Sequence, residues 1–201
     1  GSPVAPAELT WALVLAAMRR LPQYISHLKH GAWQQAGLKS ASMPPNFGIG
    51  AVVKGRTLGI WGYGKIGQLV AGYGKAFGMD VVAWSQNLTH EKAEEGGAKY
   101  VTKDELLATS DFVSIHLALS DRTRGLIGAA ELAKMKKTAI LVNTSRGPIV
   151  DEAALIDALR NRTILHAGLD VYDKEPMSAD HPLTKLDNVT QRVWTAARRK
   201  L

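Results

Sequence analysis

From Thr57 onward the chain repeats one arrangement. A short run of apolar residues is followed by a polar turn and then by a segment whose apolar positions recur at helical spacing. The apolar runs are Thr57–Trp61, Val81–Trp84, Phe112–Leu117, Ala139–Asn143, Ile164–Leu169 and a weaker Val189–Thr190. The amphipathic segments are Lys65–Phe77, closed by Gly78; Leu106–Ala108, opened by a Thr102-x-x-Glu105 capping box; Ala129–Met135; and Asp151–Arg160, with Asp151 as its N-cap. Strands that are apolar throughout and alternate with helices predict a parallel sheet covered on both faces, an α/β fold in three layers wound in both directions.

The part before Thr57 is different. Residues 8 to 29 carry Leu9, Leu13, Ala16, Ala17, Met18 and Leu21 at helical spacing, and Pro22 is expected to interrupt or kink that helix. Residues 31 to 54 show no period and collect Gly31, Gly37, Pro44, Pro45, Gly48 and Gly50. So long a stretch without periodicity usually covers a partner or a site, and it is read as an arm. The whole chain is therefore expected to form one domain: residues 1–54 as helix and arm, 55–190 as the α/β core, and 191–201 as a tail.

Composition narrows the picture. The 201 residues contain no Cys, which excludes disulfides, thiolate metal sites and a Cys nucleophile. The run Trp11–Met18 is too short to cross a bilayer, and Arg19 and Arg20 follow it where a leader would carry charge in front, so neither export nor anchoring is expected and the cytoplasm is the default compartment. The formal charge of +7 suggests a polyanionic partner until its distribution is examined. Arg192, Arg198, Arg199 and Lys200 fall in the last ten residues, which hold no acid, and outside that tail the chain is only mildly basic. A solvated tail explains this better than a nucleic-acid surface.

The first chemistry-bearing motif is Gly62-Tyr-Gly64-Lys65-Ile66-Gly67, directly after a strand and at the opening of a helix. In that context G-x-G-x-x-G marks a dinucleotide-binding, Rossmann-type unit. Gly62 makes the tight turn, Gly64 lets the backbone approach a pyrophosphate, and Gly67 allows the helix to pack on the strand. At the end of the second strand, where a carboxylate would bond the adenosine ribose, stands Ser85, eighteen residues past Gly67. Its absence removes repulsion against a 2′-phosphate, yet no Arg follows; Lys92 and His90 are the nearest cations. NAD and NADP are both expected to bind, with NADP favoured by a narrow margin.

A second constellation follows the later strands: Asn143-Thr144-Ser145-Arg146-Gly and Gly168-Leu-Asp170-Val-Tyr-Asp-Lys-Glu175-Pro. Both lie at carboxyl ends of strands, where open α/β sheets bind ligands, and Arg146 offers a planar fork for a carboxylate. With His116-Leu-Ala-Leu-Ser, Thr123-Arg-Gly-Leu-Ile and Asp180-His-Pro-Leu in the same order, the chain resembles the nicotinamide-binding domain of the D-2-hydroxyacid dehydrogenases, the group that includes glyoxylate/hydroxypyruvate reductases and phosphoglycerate dehydrogenases. The resemblance implies hydride exchange between a nicotinamide cofactor and a small 2-oxoacid or 2-hydroxyacid. It implies that Arg146 holds the substrate carboxylate and that Glu175 supports a catalytic His. It places Lys65, Ile66, Thr123, Thr144, Ser145 and Asp170 along the cofactor, and makes residues 8–50 a homodimer arm.

The pattern also breaks. Trp194 occupies the slot of the catalytic His, and an indole N–H does not cycle a proton near neutral pH. His181 is the nearest substitute, though its Asp-His-Pro-Leu turn is an ordinary feature of the family. His27, His30, His90, His116 and His166 show no metal-ligand spacing, and no metal site is expected. The substrate lobe of the family is largely absent, and the departure after Asn188-Val-Thr reads as a frameshift or an altered terminus, leaving the activity of this chain open. The competing expectation is a non-enzymatic NAD(H)-dependent interaction protein of the co-repressor type.

Overall fold

The computed structural model describes residues 1–31 and 50–192. The interior of the proposed arm, and residues 193–201 of the basic tail, Trp194 among them, lie outside the described residues. Seven strands form one sheet: β1 (Thr57–Trp61), β2 (Asp80–Trp84), β3 (Lys99–Tyr100), β4 (Phe112–Ile115), β5 (Ile140–Asn143), β6 (His166–Leu169) and β7 (Val189–Gln191). Their spatial order is β3-β2-β1-β4-β5-β6-β7, and all six pairings are parallel. The direction of winding reverses between β1 and β4, so the loops leaving these two strands diverge and open a crevice at the carboxyl edge.

The helices are α1 (Val4–Arg19), α2 (Leu21–Lys29), α3 (Lys65–Ala76), α4 (His90–Glu95), α5 (Lys103–Thr109), α6 (Ala129–Lys134) and α7 (Glu152–Arg160). Alternate strand residues feed two cores. Leu58, Ile60, Phe112, Ile140 and Val142 pack against Ala7, Leu13, Val14, Val70 and Ala71 of α1 and α3. On the other face Trp61, Val113, Ile115 and Leu141 pack against Leu106, Leu107, Leu132, Leu155 and Leu159 of α5, α6 and α7. This is the expected three-layer doubly wound fold.

Four details differ from expectation. The break in the first helical region falls at Arg20, which adopts a left-handed conformation (φ 53°), while Pro22 sits inside the first turn of α2, where a missing N–H costs nothing. The β4 strand stops at Ile115, short of Leu117. Helix α4 and strand β3 had no periodic signal, because a six-residue helix with Ala93 alone buried and a two-residue edge strand are too short to show one. Both N-caps form, with the Thr102 hydroxyl accepting from Glu105 N–H (3.2 Å) and the Asp151 carboxylate from Ala154 N–H (3.1 Å), but Glu105 does not return the bond to Thr102 N–H, so Thr102 is a simple cap and not half of a capping box.

Candidate cofactor and substrate site

The glycine-rich turn lies where β1 hands over to α3, and its three glycines are required for three different reasons. Gly62 has φ 101°, in the region that side chains rarely enter, and its N–H donates to Trp84 O (2.9 Å); a methyl here would overlap the His116 carbonyl. At Gly67 a methyl would overlap the Gly62 carbonyl and crowd Ile60 (3.1 Å), so this glycine is what seats α3 on β1. Gly64 is extended and exposed, and nothing lies within 4 Å of the place a methyl would take. Its bare backbone therefore faces open space at the first turn of a helix, the geometry a pyrophosphate needs.

That space continues into an open cleft of about 580 Å³ lined by Tyr63, Gly64, Gln68, Ser85, Asn87, Leu88, Lys92, Glu95 and Gly96. Ser85 is thus at the cleft, as the sequence places it. Lys92 and Glu95 put one charge of each sign on the α4 wall. Tyr63 is buried, its phenol fits against Gly96, where a side chain would collide with it, and its hydroxyl has no hydrogen-bond partner among the described residues. Burial pushes the Tyr63 phenol up from its ordinary value, so it is neutral at physiological pH. Lys65 is exposed at the start of α3, whereas Ile66 is half-buried and packs against the α1–α3 core.

The neighbouring turn, Thr144 to Arg146, is organised by Asn143. This side chain is buried at the end of β5; its carbonyl accepts from Ser145 N–H (3.0 Å) and its amide donates to Arg146 O (3.0 Å). The result leaves the Arg146 guanidinium exposed at the carboxyl edge, with one NH donating to Ser145 O (2.7 Å). Ser145 donates its hydroxyl to Ile115 O (2.7 Å), which ties β5 to β4. The Thr144 hydroxyl pairs with that of buried Thr10 on α1 (2.6 Å). Thr123 donates to Ala118 O (2.7 Å) and accepts from Ser120 N–H (2.8 Å), shaping the loop after β4. The hydroxyls of Thr123, Thr144 and Ser145 are therefore engaged by the protein itself.

Asp170 follows β6, buried, with its N–H on Asn143 O (3.1 Å) and its carboxylate 3.8 Å from Arg192 Nε. Beyond it, Glu175 is exposed and accepts from Tyr172 N–H through Oε1 (3.0 Å). Burial, reinforced by the Asp170, Glu175 and Glu152 carboxylates, drives the Tyr172 phenol far up; it stays neutral and donates to Arg192 O (2.9 Å). The histidines fall elsewhere. His116 bonds Ser114 Oγ (2.8 Å), and burial lowers it to about 4. His181 is bound through both ring nitrogens, to Glu152 and to Leu183 N–H, and so is not poised to donate a proton to a ligand.

Sequence reasoning placed the glycines, Ser85, Arg146, Asp170 and Glu175 on one edge, and the structure brings them to that edge. It missed Asn143 as an organiser, although Asn two residues before the amide it caps is the signature of an Asx turn. It also missed Gln68, Asn87 and Glu95 on the cleft wall and Glu152 behind Glu175, which only the tertiary fold juxtaposes. A second cavity of about 250 Å³ lies at the opposite end of the strands, beside Arg20, Arg56, Asp111 and His166, away from the glycine-rich turn. Among the described residues there is no cluster of three or more His, Asp or Glu able to hold a metal ion, and no helix is long and apolar enough to cross a membrane.

A glycine-rich turn at the switch point of a doubly wound parallel sheet defines a dinucleotide-binding domain. Residues 11–196 match the model of the D-isomer specific 2-hydroxyacid dehydrogenase NAD-binding domain, and the chain belongs to that family. It is 48% identical over 185 residues to the glyoxylate reductase of Aeropyrum pernix, an alignment covering 92% of this chain and 54% of the relative. Among solved structures it resembles an oxidoreductase from Ralstonia solanacearum (TM-score 0.87, 55% identity, 95% of this chain and 56% of that one). It also resembles the NAD-complexed D-isomer specific 2-hydroxyacid dehydrogenase of Lactobacillus delbrueckii (TM-score 0.78, 30% identity, 94% and 58%). The chain spans about half the length of the curated relatives it matches.

Proposed function

We propose that this chain is the cofactor-binding half of a 2-oxoacid reductase, with the substrate carboxylate held by Arg146. The observation that carries the proposal is the convergence of three separate loops, the Gly62–Gly67 turn, the Asn143–Arg146 turn and the Asp170–Glu175 turn, on one edge of the sheet. The open space over Gly64 and the adjoining cleft fit a dinucleotide, with the amides at the start of α3 receiving its phosphates and Ser85 its adenosine ribose. When bound, a nicotinamide cofactor supplies the hydride for reduction of a carbonyl. The chain's own residues orient the substrate and set the charge around it. Arg146 presents a fork to the carboxylate of a 2-oxoacid and polarises its carbonyl. Asp170 and Glu175 follow β6 on the next loop at the same edge of the sheet, and Glu175 supplies a carboxylate with which a cationic proton donor brought by the rest of the enzyme would pair.

Glyoxylate or hydroxypyruvate added with NADH or NADPH tests this directly. Saturable binding of the oxoacid to the chain loaded with reduced nicotinamide, weakened at least tenfold in Arg146→Ala, is the expected result; binding unchanged by that substitution refutes the role of Arg146. Ser85 in place of a carboxylate supports acceptance of NADP beside NAD. A second copy of the chain is the proposed partner of α2. Leu21, Ile25 and Leu28 share one helical face and are 48%, 54% and 55% exposed, an apolar strip that pairing would cover. Light scattering is expected to give a dimer, and a strict monomer at working concentration refutes it. A cytoplasmic setting belongs to the same proposal, supported by a sequence whose lack of Cys makes no demand for an oxidising compartment.

A further inference from the structure

We propose that Glu152 and His181 form a clamp that sets where Glu175 is presented, making both of them positioning residues. The proposal rests on the reading of Glu175 as part of the site. His181 Nδ1 accepts from Leu183 N–H (3.3 Å), which places the ring proton on Nε2, and Nε2 donates to Glu152 Oε1 (2.9 Å). The other Glu152 oxygen accepts from Asp173 N–H (3.2 Å). Among the described residues this is the one hydrogen bond made by the backbone of 173–176, the segment that carries Glu175.

The opposite side of the same peptide is fixed by packing. Gly147, next to Arg146, lies so close to the Tyr172 carbonyl and Asp173 nitrogen that a methyl at Gly147 would overlap them. Residues 172–173 are therefore held between the Arg146 loop on one side and Glu152, at the first position of α7, on the other. Tyr172 N–H then donates to Glu175 Oε1 (3.0 Å), which passes that fixed position on to the carboxylate. A surface ion pair would contribute little, but here the Glu152 and His181 side chains are only 24% and 20% exposed, and both oxygens of the carboxylate are engaged by separate segments of chain. The distance between Arg146 and Glu175 is set by this arrangement, although neither Glu152 nor His181 lies on the edge that faces a ligand. The same bonds explain why the histidine that sequence offers as a proton donor is committed elsewhere.

The test uses the full 201-residue chain and the variants Glu152→Gln, His181→Ala and His181→Gln. Gln at 152 keeps the shape and loses one acceptor; Gln at 181 keeps a donor near Nε2. Amide exchange at Tyr172 and Asp173, followed by NMR, is expected to accelerate at least tenfold in Glu152→Gln and His181→Ala. The Cδ chemical shift of the Glu175 carboxyl is expected to move in both, exchange in β1, β4 and β5 to stay at the wild-type rate, and His181→Gln to restore most of the protection. Wild-type exchange and an unmoved Glu175 signal in the first two variants would overturn the proposal, as would acceleration spread evenly over the strands. No nucleotide is needed for this readout, so failure of the clamp and failure of the cofactor assignment are separate results.

Discussion

Replacing the glycines of the turn one at a time separates what folds the domain from what binds the ligand. At Gly64 the backbone is already in an extended conformation open to any residue, and an added methyl meets nothing within 4 Å. Alanine reduces the freedom of the unfolded chain, stabilising by about 0.4–1 kcal/mol, and is a poorer helix N-cap than glycine by a similar amount. The net change in stability is expected to stay within about 1 kcal/mol, which for a domain of this size is a shift in Tm of under about 4 °C. The methyl does fill the space over the first amides of α3. Loss of two charge-assisted amide–phosphate bonds, each worth about 1.5–3 kcal/mol, weakens nucleotide binding by about 100-fold or more.

Gly62→Ala and Gly67→Ala behave in the opposite way. The first forces a side chain to φ 101° and into the His116 carbonyl, and the second drives a methyl into the Gly62 carbonyl. Each is expected to cost about 2–3 kcal/mol, and Tm to fall by about 5–10 °C. Thermal denaturation, together with NADH titration by fluorescence for all three variants, gives the answer. A Gly64→Ala chain that binds NADH as wild type does, or that loses as much stability as Gly62→Ala, refutes the reasoning.

Two further outcomes follow from groups away from the turn. His166, 4% exposed and bonded to Thr190 (2.8 Å), is lowered to about 3 by burial and by the nearby Arg20 and Arg162 charges, so the folded chain refuses a proton that the unfolded chain accepts below pH 6.5. Its contribution is intact above that pH and is lost as the pH falls towards 3, amounting to about 2 kcal/mol between pH 7 and 5; the stability lost between those two pH values, measured by urea denaturation, is expected to be greater by that amount in wild type than in His166→Gln, and equal losses refute it. Ser85→Asp is expected to shift cofactor preference at least tenfold toward NADH by repelling a 2′-phosphate, and an unchanged ratio of NADH to NADPH dissociation constants would remove Ser85 from the ribose subsite.

The parts of this molecule that could be read from the chain are those whose physics is local. Within a six-residue window Gly62 and Gly67 announce themselves because a turn and a close packing contact each exclude a side chain, and Gly64 because an anion approaching the backbone would exclude one. The Asp151 and Thr102 caps are equally local. Glu152 gave no signal, since its partners Asp173 and His181 lie 21 and 29 residues away and meet it only after β6 has crossed back to the sheet. Thr10, facing Thr144 across 134 residues, is invisible for the same reason. Arg20 took the helix break from Pro22 because proline is compatible with a first helical turn, and the left-handed residue that separates the two helices stands two positions earlier, at the N-cap of α2.

Chemical shifts of the backbone amides during titration of the 201-residue chain with NADH test the central claim most directly. Saturable changes at Gly64, Lys65, Ile66 and Ser85, with none at Arg56, Thr138 and His166 at the far end of the strands, are the expected result. No change up to millimolar nucleotide, or change centred on the cavity beside His166, would contradict it.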